Sequence, residues 1–367
     1  MFFRPPLRLP LLMLLALAPL PTIGADREGS IDAVAAHQLF DATAPYLDGP
    51  NKAAAKAVGE QCLTLDRECI GFSSEQADVV LAAVPDNPEF WAAYATLLTA
   101  DPLPVEHLDP ENLPAYQGFI EGTKGWLRRE LVTNGMADAA RLHEQVKAHR
   151  RRLAISNVLI EKMIFLATTG IVLPAINVHM AHRELPTTAA DRRLLDDMLK
   201  PLVRDELSLR KAVDGELRYA AARLEELPEG DPPVQLDELE RMYGFIADRS
   251  EAGWEDFWRD GLDVLANVEM PPDFYLYVPS WADYAANVRY LEASLYVLRA
   301  LREMYEGRIS PGPPATQAPY GWSWRWEEES QTLCLDPGYV HASVSMEGPA
   351  SICHQYLMTS DSSSRLE

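Results

Sequence analysis

The stretch LAISNVLIEKMIFLATTGIVLPAINVHMAHREL, from Leu153 to Leu185, decides the fold of this chain. Apolar side chains occupy every side of a helical wheel drawn through its middle, which places such a helix in the centre of a large domain or in a bilayer. The uncharged run from Met163 to Val178 has 16 residues and contains Gly170 and Pro174. A bilayer span needs about 20 consecutive apolar residues. We therefore expect a buried core helix that is kinked or broken near Pro174.

Shorter patterns of apolar residues at helical spacing lie on both sides of this stretch, separated by turns that contain proline, glycine or asparagine. Residues 116–132 and 137–153 are typical of an αα-hairpin of tetratricopeptide style, although the period is not repeated cleanly along the chain. We expect a mainly α fold, a multi-helix array of irregular αα-hairpins over residues 26–309. The proline-rich, acidic segment 101–114 is a candidate joint within it.

A change of sequence period follows the proline-rich linker 310–321. Trp322, Trp324 and Trp326 alternate with polar residues, which places three indoles on one face of a strand. We expect a small β-rich unit over 322–360 and then a tail over 361–367, with further strands at residues 332–335, 339–344 and 352–357. The indole face either packs on the helical body or forms a platform for a carbohydrate, a peptide or a partner surface.

Residues 1–25 have the anatomy of a secretory signal peptide. Arg4 and Arg8 form its positive region, an apolar run covers residues 9–20, and Ile23-Gly24-Ala25 is a candidate processing site. We expect the chain to be exported with this segment cleaved. An uncleaved signal that anchors the chain in the inner membrane is the alternative, and no transmembrane span is expected after it.

The formal net charge is −22, and it becomes −24 without residues 1–25, which carry two arginines and no acidic residue. So acidic a protein repels nucleic acid and anionic membrane surfaces, and nucleic acid is therefore not an expected partner. The acidity either serves solubility or provides a surface for a basic partner.

The four cysteines form two close pairs in the sequence, Cys62 with Cys69 and Cys334 with Cys353. An exported protein meets an oxidising compartment, where disulfides are the default. Of the three connectivities, sequence proximity favours 62–69 and 334–353. Zinc sites need closer cysteine spacing or histidines within reach, so no metal is expected there.

The common catalytic and cofactor motifs are missing from the sequence, among them the nucleophile elbow, the phosphate-binding loop and the zinc-protease motif. His179 and His182 are three residues apart, but no third metal ligand is evident beside them. We therefore expect no metal, no cofactor and no catalytic residue of a familiar kind. The basic run 147–152 is predicted to be a solvated helix end, with docking to an anionic lipid or an acidic protein as the alternative.

Two groups of charged residues lie in apolar surroundings. Glu161 and Lys162 lie within the central stretch, and Glu206, Arg210 and Glu216 follow in a second segment. Glu206 and Arg210 are spaced as i, i+4 helix partners. Because removing the partner of a buried charge is strongly destabilising, these five residues either form an interhelical ion-pair network or line an internal pocket.

The segments LIEKMIFLA (159–167) and LSLRKAVDGELRY (207–219) resemble a set of exported or membrane-anchored helical proteins of Gram-negative bacteria. The similarity covers roughly residues 115–335, and no activity, ligand or catalytic residue is assigned to that set. The resemblance implies a helical envelope protein. It also draws attention to four residues, which are Lys162, Arg210, Gly215 and Glu216.

We expect a non-catalytic periplasmic protein that binds or scaffolds another envelope component. The first alternative is a lipid- or small-molecule-binding protein with a pocket beside residues 153–185. The second is an enzyme on an unfamiliar helical scaffold, which would need Glu161, Lys162, Arg210 and Glu216 clustered in a cleft. The sequence does not indicate an oligomeric state.

Overall fold

A computed structural model describes residues 32–43, 87–108, 116–182, 188–225, 236–251, 281–336 and 351–357. Four predictions lie outside these residues: the signal peptide, the Cys62–Cys69 disulfide, the strand at 339–344 and the tail over 361–367. The described part of the chain is mainly helical, with a small antiparallel sheet, as predicted. The tetratricopeptide-like arrangement is not confirmed.

The described helices occur in the following chain order. They are α1 (Ala33–Thr43), α2 (Pro88–Thr99), α3 (Tyr116–Asn134), α4 (Ala139–Ile155), α5 (Leu159–His182), α6 (Ala189–Met198), α7 (Arg204–Leu207), α8 (Arg210–Glu225), α9 (Leu236–Glu251) and α10 (Trp281–Tyr305). The strands are β1 (Ser323–Glu327), β2 (Thr332–Asp336) and β3 (Ile352–Gln355). Single 3₁₀ turns cover Val105–His107 and Pro319–Gly321.

Side-chain caps set the start of several helices. The Asn87 side chain accepts hydrogen bonds from two backbone N–H groups at the start of α2, and Asp138 does the same for α4. The Thr188 hydroxyl accepts from the Asp191 N–H at the start of α6. These local signals position α2, α4 and α6, near whose carboxyl ends backbone carbonyls accept hydrogen bonds from arginine and lysine side chains.

The core helix α5 packs against α3, α4, α8 and α10, so the most apolar stretch is central, as predicted. It begins at Leu159 rather than Leu153, because α4 ends at Ile155, where the Ser156 N–H and hydroxyl both donate to the Arg152 carbonyl. Pro174 lies inside α5 and does not end it. Packing on several sides holds a helix through the hydrogen bond that a proline removes.

The segment Leu159–Ala181 is the one part of the described chain that is long and apolar enough to cross a membrane. Length and composition alone meet that test, and most of the segment is buried inside the protein. This burial is the arrangement expected of a core helix.

The sheet has the order β1-β2-β3 and lies against α10. Trp324 faces Leu335 and Trp326 faces Leu333 across the first pair of strands, and both indoles are half-buried against the core. Trp322 also packs on the core, but it precedes β1, so two of the three predicted indoles lie on the strand itself. The packing alternative for the indole face therefore fits the structure better than an exposed platform.

Cys334 and Cys353 face each other across β2 and β3 and form a disulfide, as predicted. Leu333, Leu335 and Ile352 are buried in the same apolar core as the helices. The sheet and the helical body therefore share a core.

Candidate functional site

Arginines at the end of α4 make contacts inside the protein. The prediction of a solvated helix end is wrong for Arg150 and Arg152, which are both buried. Arg150 donates to both carboxylate oxygens of Glu206 at 2.7 and 2.8 Å, and to the carbonyls of Lys200 and Pro201 at 3.0 and 2.9 Å. Burial withdraws these two guanidinium groups from any docking surface.

The two arginines that follow Arg150 donate hydrogen bonds to the carboxyl end of another helix, α2. Arg151 donates to the Thr99 carbonyl at 3.0 Å, and Arg152 donates to the Ala100 carbonyl at 2.8 Å, both at the carboxyl end of α2. A helix carries unsatisfied carbonyls and a partial negative charge at that end, so cations are favoured there.

The predicted i, i+4 pair of Glu206 and Arg210 is wrong. Glu206 binds Arg150, whereas Arg210 binds Asp248 at 2.5 Å in a more exposed position. The two residues do not share one helix, because α7 ends at Leu207 and α8 begins at Arg210. The i, i+4 spacing brings side chains together only within a continuous helix.

Three other charged side chains form hydrogen bonds with backbone groups at the junction between α4 and α5. Lys162 donates to the Leu153 carbonyl at 2.9 Å and Lys211 to the Ala154 carbonyl at 3.1 Å, both at the end of α4. Glu216 accepts the Leu159 N–H at 2.8 Å, at the start of α5. Each charge has the sign that the adjacent helix end favours. Burial lowers the pKa of Lys162 to about 7.

Gly215 lets α8 approach this junction closely. A Cβ at this position would lie 1.6 Å from the Asn157 carbonyl oxygen, a distance that no side chain can adopt. Lys162, Gly215 and Glu216 therefore meet at one junction, and Arg210 binds elsewhere. Three of the four positions that the resemblance singles out share a structural role here.

A buried ion pair joins α4 to α5 beside this junction. Arg152 donates through Nη2 to Glu161 Oε1, and its guanidinium carbon lies 4.8 Å from the centre of the Phe165 ring. Both charged side chains are completely buried. In the described part of the chain, the Arg152 Nε and the Glu161 Oε2 have no hydrogen-bond partner.

Two further buried polar side chains lie near this pair. The Tyr116 hydroxyl and both ring nitrogens of His37 have no hydrogen-bond partner among the described residues either. Glu161 and Arg152 act electrostatically on Tyr116, and Arg152 acts on His37. We call His37, Tyr116, Arg152 and Glu161 the interior polar cluster.

The packing of three aromatic rings explains why α1, α3 and α5 bring their polar residues together. The Phe119 ring lies 6.1 Å from the Phe40 ring and 4.8 Å from the Phe165 ring, measured between centroids. His37, Tyr116 and Glu161 precede these rings by three or four residues on their helices. Residues at that spacing share a helix face, so each polar residue lies on the same side of its helix as the aromatic ring on that helix.

The electrostatics of the interior polar cluster follow from burial. Burial lowers the pKa of His37 to about 3, with a further contribution from Arg152, so this imidazole is neutral near pH 7. Burial raises the pKa of Tyr116, and the Glu161 carboxylate raises it further. Burial also raises the pKa of Glu161, and the Arg152 guanidinium and a backbone hydrogen bond from Asn157 oppose this shift.

A second buried polar group nearby differs in having its hydrogen bonds satisfied. The Tyr94 hydroxyl bonds Gln145 at 2.7 Å and Thr123 at 3.0 Å. His149 bonds Thr168 through Nδ1 at 2.9 Å and Gln145 through Nε2 at 3.1 Å. This group is a closed structural network, whereas the interior polar cluster has free donors and acceptors.

The sequence prediction placed one member of the interior polar cluster, Glu161, among its candidates and missed the other three. His37 and Tyr116 carried no signal beyond their spacing to Phe40 and Phe119, and Arg152 was assigned to the basic run. The other predicted candidates, Lys162, Glu206, Arg210 and Glu216, make separate contacts and do not form one pocket.

His179, one of the two histidines considered as metal ligands near the end of the core helix, has a backbone partner. His179 bonds the Met136 carbonyl through Nδ1 at 2.7 Å. Within the described ranges, histidine, cysteine and carboxylate side chains form no group of three that could hold a metal ion.

Comparisons with protein-family models, with curated proteins and with solved structures find no match to this chain. The function is therefore argued from the geometry of the interior polar cluster.

Proposed function

We propose that this protein binds a small polar molecule in its interior, at the cluster of His37, Tyr116, Arg152 and Glu161. The observation that carries the proposal is a set of buried donors and acceptors, on four different helices, that have no hydrogen-bond partner among the described residues. A buried polar group in this state costs about 1–3 kcal/mol. A ligand that supplies the missing partners would remove several such costs at once.

The position of the cluster supports binding rather than chemistry. The enzyme hypothesis needed Glu161, Lys162, Arg210 and Glu216 in one cleft, and these four residues make separate contacts. The cluster instead lies beside the core helix, where the small-molecule hypothesis placed a pocket. We propose a non-catalytic role for it.

Native mass spectrometry of protein purified from its own host tests the proposal. We expect a small molecule to be retained under native conditions and released on denaturation. Tyr116→Phe should reduce its occupancy because the variant lacks the free hydroxyl. Tyr284→Phe is the matched control, since its hydroxyl is buried elsewhere and donates to the Leu207 carbonyl at 2.7 Å. Ligand-free preparations, with no thermal shift across a panel of metabolites and lipids, would contradict the proposal.

A second proposal is that the exported protein also binds or scaffolds a basic component of the bacterial envelope from its surface. The net charge of −22 favours such a partner, and the burial of Arg150 and Arg152 removes two cations from the surface. Cell fractionation tests export to the periplasm. Affinity capture from envelope extract tests the partner, which should be released by salt; no stoichiometric partner at low salt would contradict this proposal.

A further inference from the structure

We infer that the ligand of the interior polar cluster is an uncharged molecule with a hydrogen-bond donor beside an acceptor, as in an amide or a urea. This inference rests on the proposed binding function and narrows it to one chemical class. Two properties of the cluster carry it: the directions of its free hydrogen bonds and the balance of its charges.

The free atoms include both donors and acceptors. The Arg152 Nε–H is a donor and the Glu161 Oε2 is an acceptor. A neutral imidazole offers one of each, and a tyrosine hydroxyl can act as either, so His37 and Tyr116 add to both sets. A ligand that only accepts, such as a carboxylate or a phosphate, leaves the acceptors of the cluster unsatisfied. A ligand that only donates, such as an ammonium group, leaves the donors unsatisfied.

The charges exclude ions for a separate reason. Arg152 and Glu161 neutralise each other, and His37 and Tyr116 carry no charge near pH 7, so the cluster has no net charge to balance an ion. An anion would lie beside the Glu161 carboxylate, with Asp41 and Glu216 also within electrostatic range of Tyr116. A cation would lie beside the buried Arg152 guanidinium, and because an ammonium group has no acceptor it would leave the Arg152 Nε–H unsatisfied. Burying an ion without a counter-charge is far more costly than burying a neutral polar molecule.

The aromatic rings beside the cluster restrict the shape of the ligand. The Phe165 ring lies 4.8 Å from the Arg152 guanidinium carbon and packs on Phe119, so apolar contact is available beside the polar partners. A planar molecule with its donor and acceptor on one edge fits this arrangement. Amides and ureas have that edge.

Three probes of nearly the same size and shape separate charge from shape: acetamide, acetate and acetamidinium. Titrations followed by ligand-observed NMR and by calorimetry, at up to about 100 mM probe, should give acetamide at least tenfold tighter binding than either ion. Tyr116→Phe should weaken acetamide binding by about tenfold through the loss of one hydrogen bond. His37→Phe should also weaken it, and Tyr284→Phe should leave it unchanged.

The other outcomes are equally definite. Equal or tighter binding of acetate or acetamidinium, lost in Tyr116→Phe, overturns the neutral class and leaves the binding function intact. Failure of all three probes to bind at the cluster also overturns the inference. The proposed function is then decided separately by whether protein from its own host retains a molecule.

Discussion

At the scale of single residues, two buried tyrosines of this protein differ in one respect. The Tyr94 hydroxyl bonds both Gln145 and Thr123, whereas the Tyr116 hydroxyl has no partner within the described ranges. Both side chains are almost fully buried, so removal of one oxygen leaves similar packing in each case. Any difference in the effect of that removal reports on hydrogen bonding.

Tyr94→Phe should therefore lower the free energy of unfolding by about 1–2 kcal/mol, because Gln145 and Thr123 lose a buried partner. Tyr116→Phe should leave the ligand-free protein unchanged or slightly more stable, because a hydroxyl without a partner pays only its desolvation. Urea unfolding of both variants measures the difference. Equal losses of stability would mean that the Tyr116 hydroxyl also has a hydrogen-bond partner in the folded protein.

Residue chemistry predicted part of the candidate site. Glu161 stood out because a carboxylate inside the apolar stretch needs a partner, and the structure supplies Arg152. His37 and Tyr116 could not be found in the same way, because a histidine or a tyrosine in an amphipathic helix is ordinary. Their role depends on tertiary distances between α1, α3 and α5, which a single sequence does not contain.

At the scale of elements, the ends of helices provide backbone acceptors for five basic side chains, of which Arg150, Arg152 and Lys162 are buried. The carbonyls at the ends of α2, α4 and α6 receive Arg151 and Arg152, Lys162 and Lys211, and Arg150, respectively. Helix ends that are buried need such donors, because water is not available to them. The charges in the core thus follow from the geometry of its helices.

Gly215→Ala should destabilise the protein by several kcal/mol, because the new Cβ would collide with the Asn157 carbonyl and force α8 away from the junction between α4 and α5. Gly244→Ala in α9 is the matched control. It has no atom within 4 Å of the new Cβ and should gain up to about 1 kcal/mol of helix propensity. Thermal and urea unfolding of both variants check the pair; a stable Gly215→Ala protein would mean that α8 does not press on the junction.

The sequence predicted the existence of most described helices and missed several boundaries. Residues 153–158 looked continuous with the core helix because no glycine or proline marks the end of α4. At the end of α4 the Ser156 hydroxyl and the Ser156 N–H both donate to the Arg152 carbonyl, and a cap of this kind is invisible in apolar periodicity. The Glu206–Arg210 prediction failed for a similar reason, since spacing has meaning only inside one continuous helix.

At the scale of the whole molecule, stability depends on histidines that are buried in different places. Burial lowers the pKa to about 3 for His37 and His149 and to about 4 for His354. An unfolded histidine titrates near 6.5. Below that pH the unfolded chain binds more protons than the folded chain, so the free energy of unfolding falls as the pH falls from about 6.5 to about 4.

Each of these histidines should lower the free energy of unfolding by about 2 kcal/mol at pH 5 relative to pH 7. His354→Leu should remove its share of that fall, because the imidazole is buried and its Nε2 has no partner in the described chain. The exposed His107 provides the control variant His107→Gln, which should retain the full dependence. Urea unfolding at several pH values measures both. An unchanged slope in His354→Leu would contradict the burial argument.

The disulfide of the sheet should act on the whole fold as well. Cys334 and Cys353 are 19 residues apart, so replacing both by serine should cost about 3 kcal/mol through the freedom gained by the unfolded chain. Leu333 and Leu335 belong to the shared core, and the loss should therefore lower the single unfolding transition of the molecule. Calorimetry with and without reductant checks this. A separate early transition for the sheet, with the helical transition unmoved, would contradict a shared core.

Some of the residues that cover the core helix are synthesised long after the helix itself. Asn177 of α5 donates to the Gln355 carbonyl at 2.8 Å, and Tyr305 links Asn177 to the N–H of the buried Leu357. These partners are separated from Asn177 by up to 180 positions, and a ribosome working at about 5–20 residues per second needs about 9–36 s to synthesise that length. During that interval the most apolar helix of the nascent chain lacks part of its cover. Transiently exposed apolar surface of this kind is what chaperones protect in nascent chains, so the cost of making the core helix before its cover falls on synthesis rather than on the finished fold.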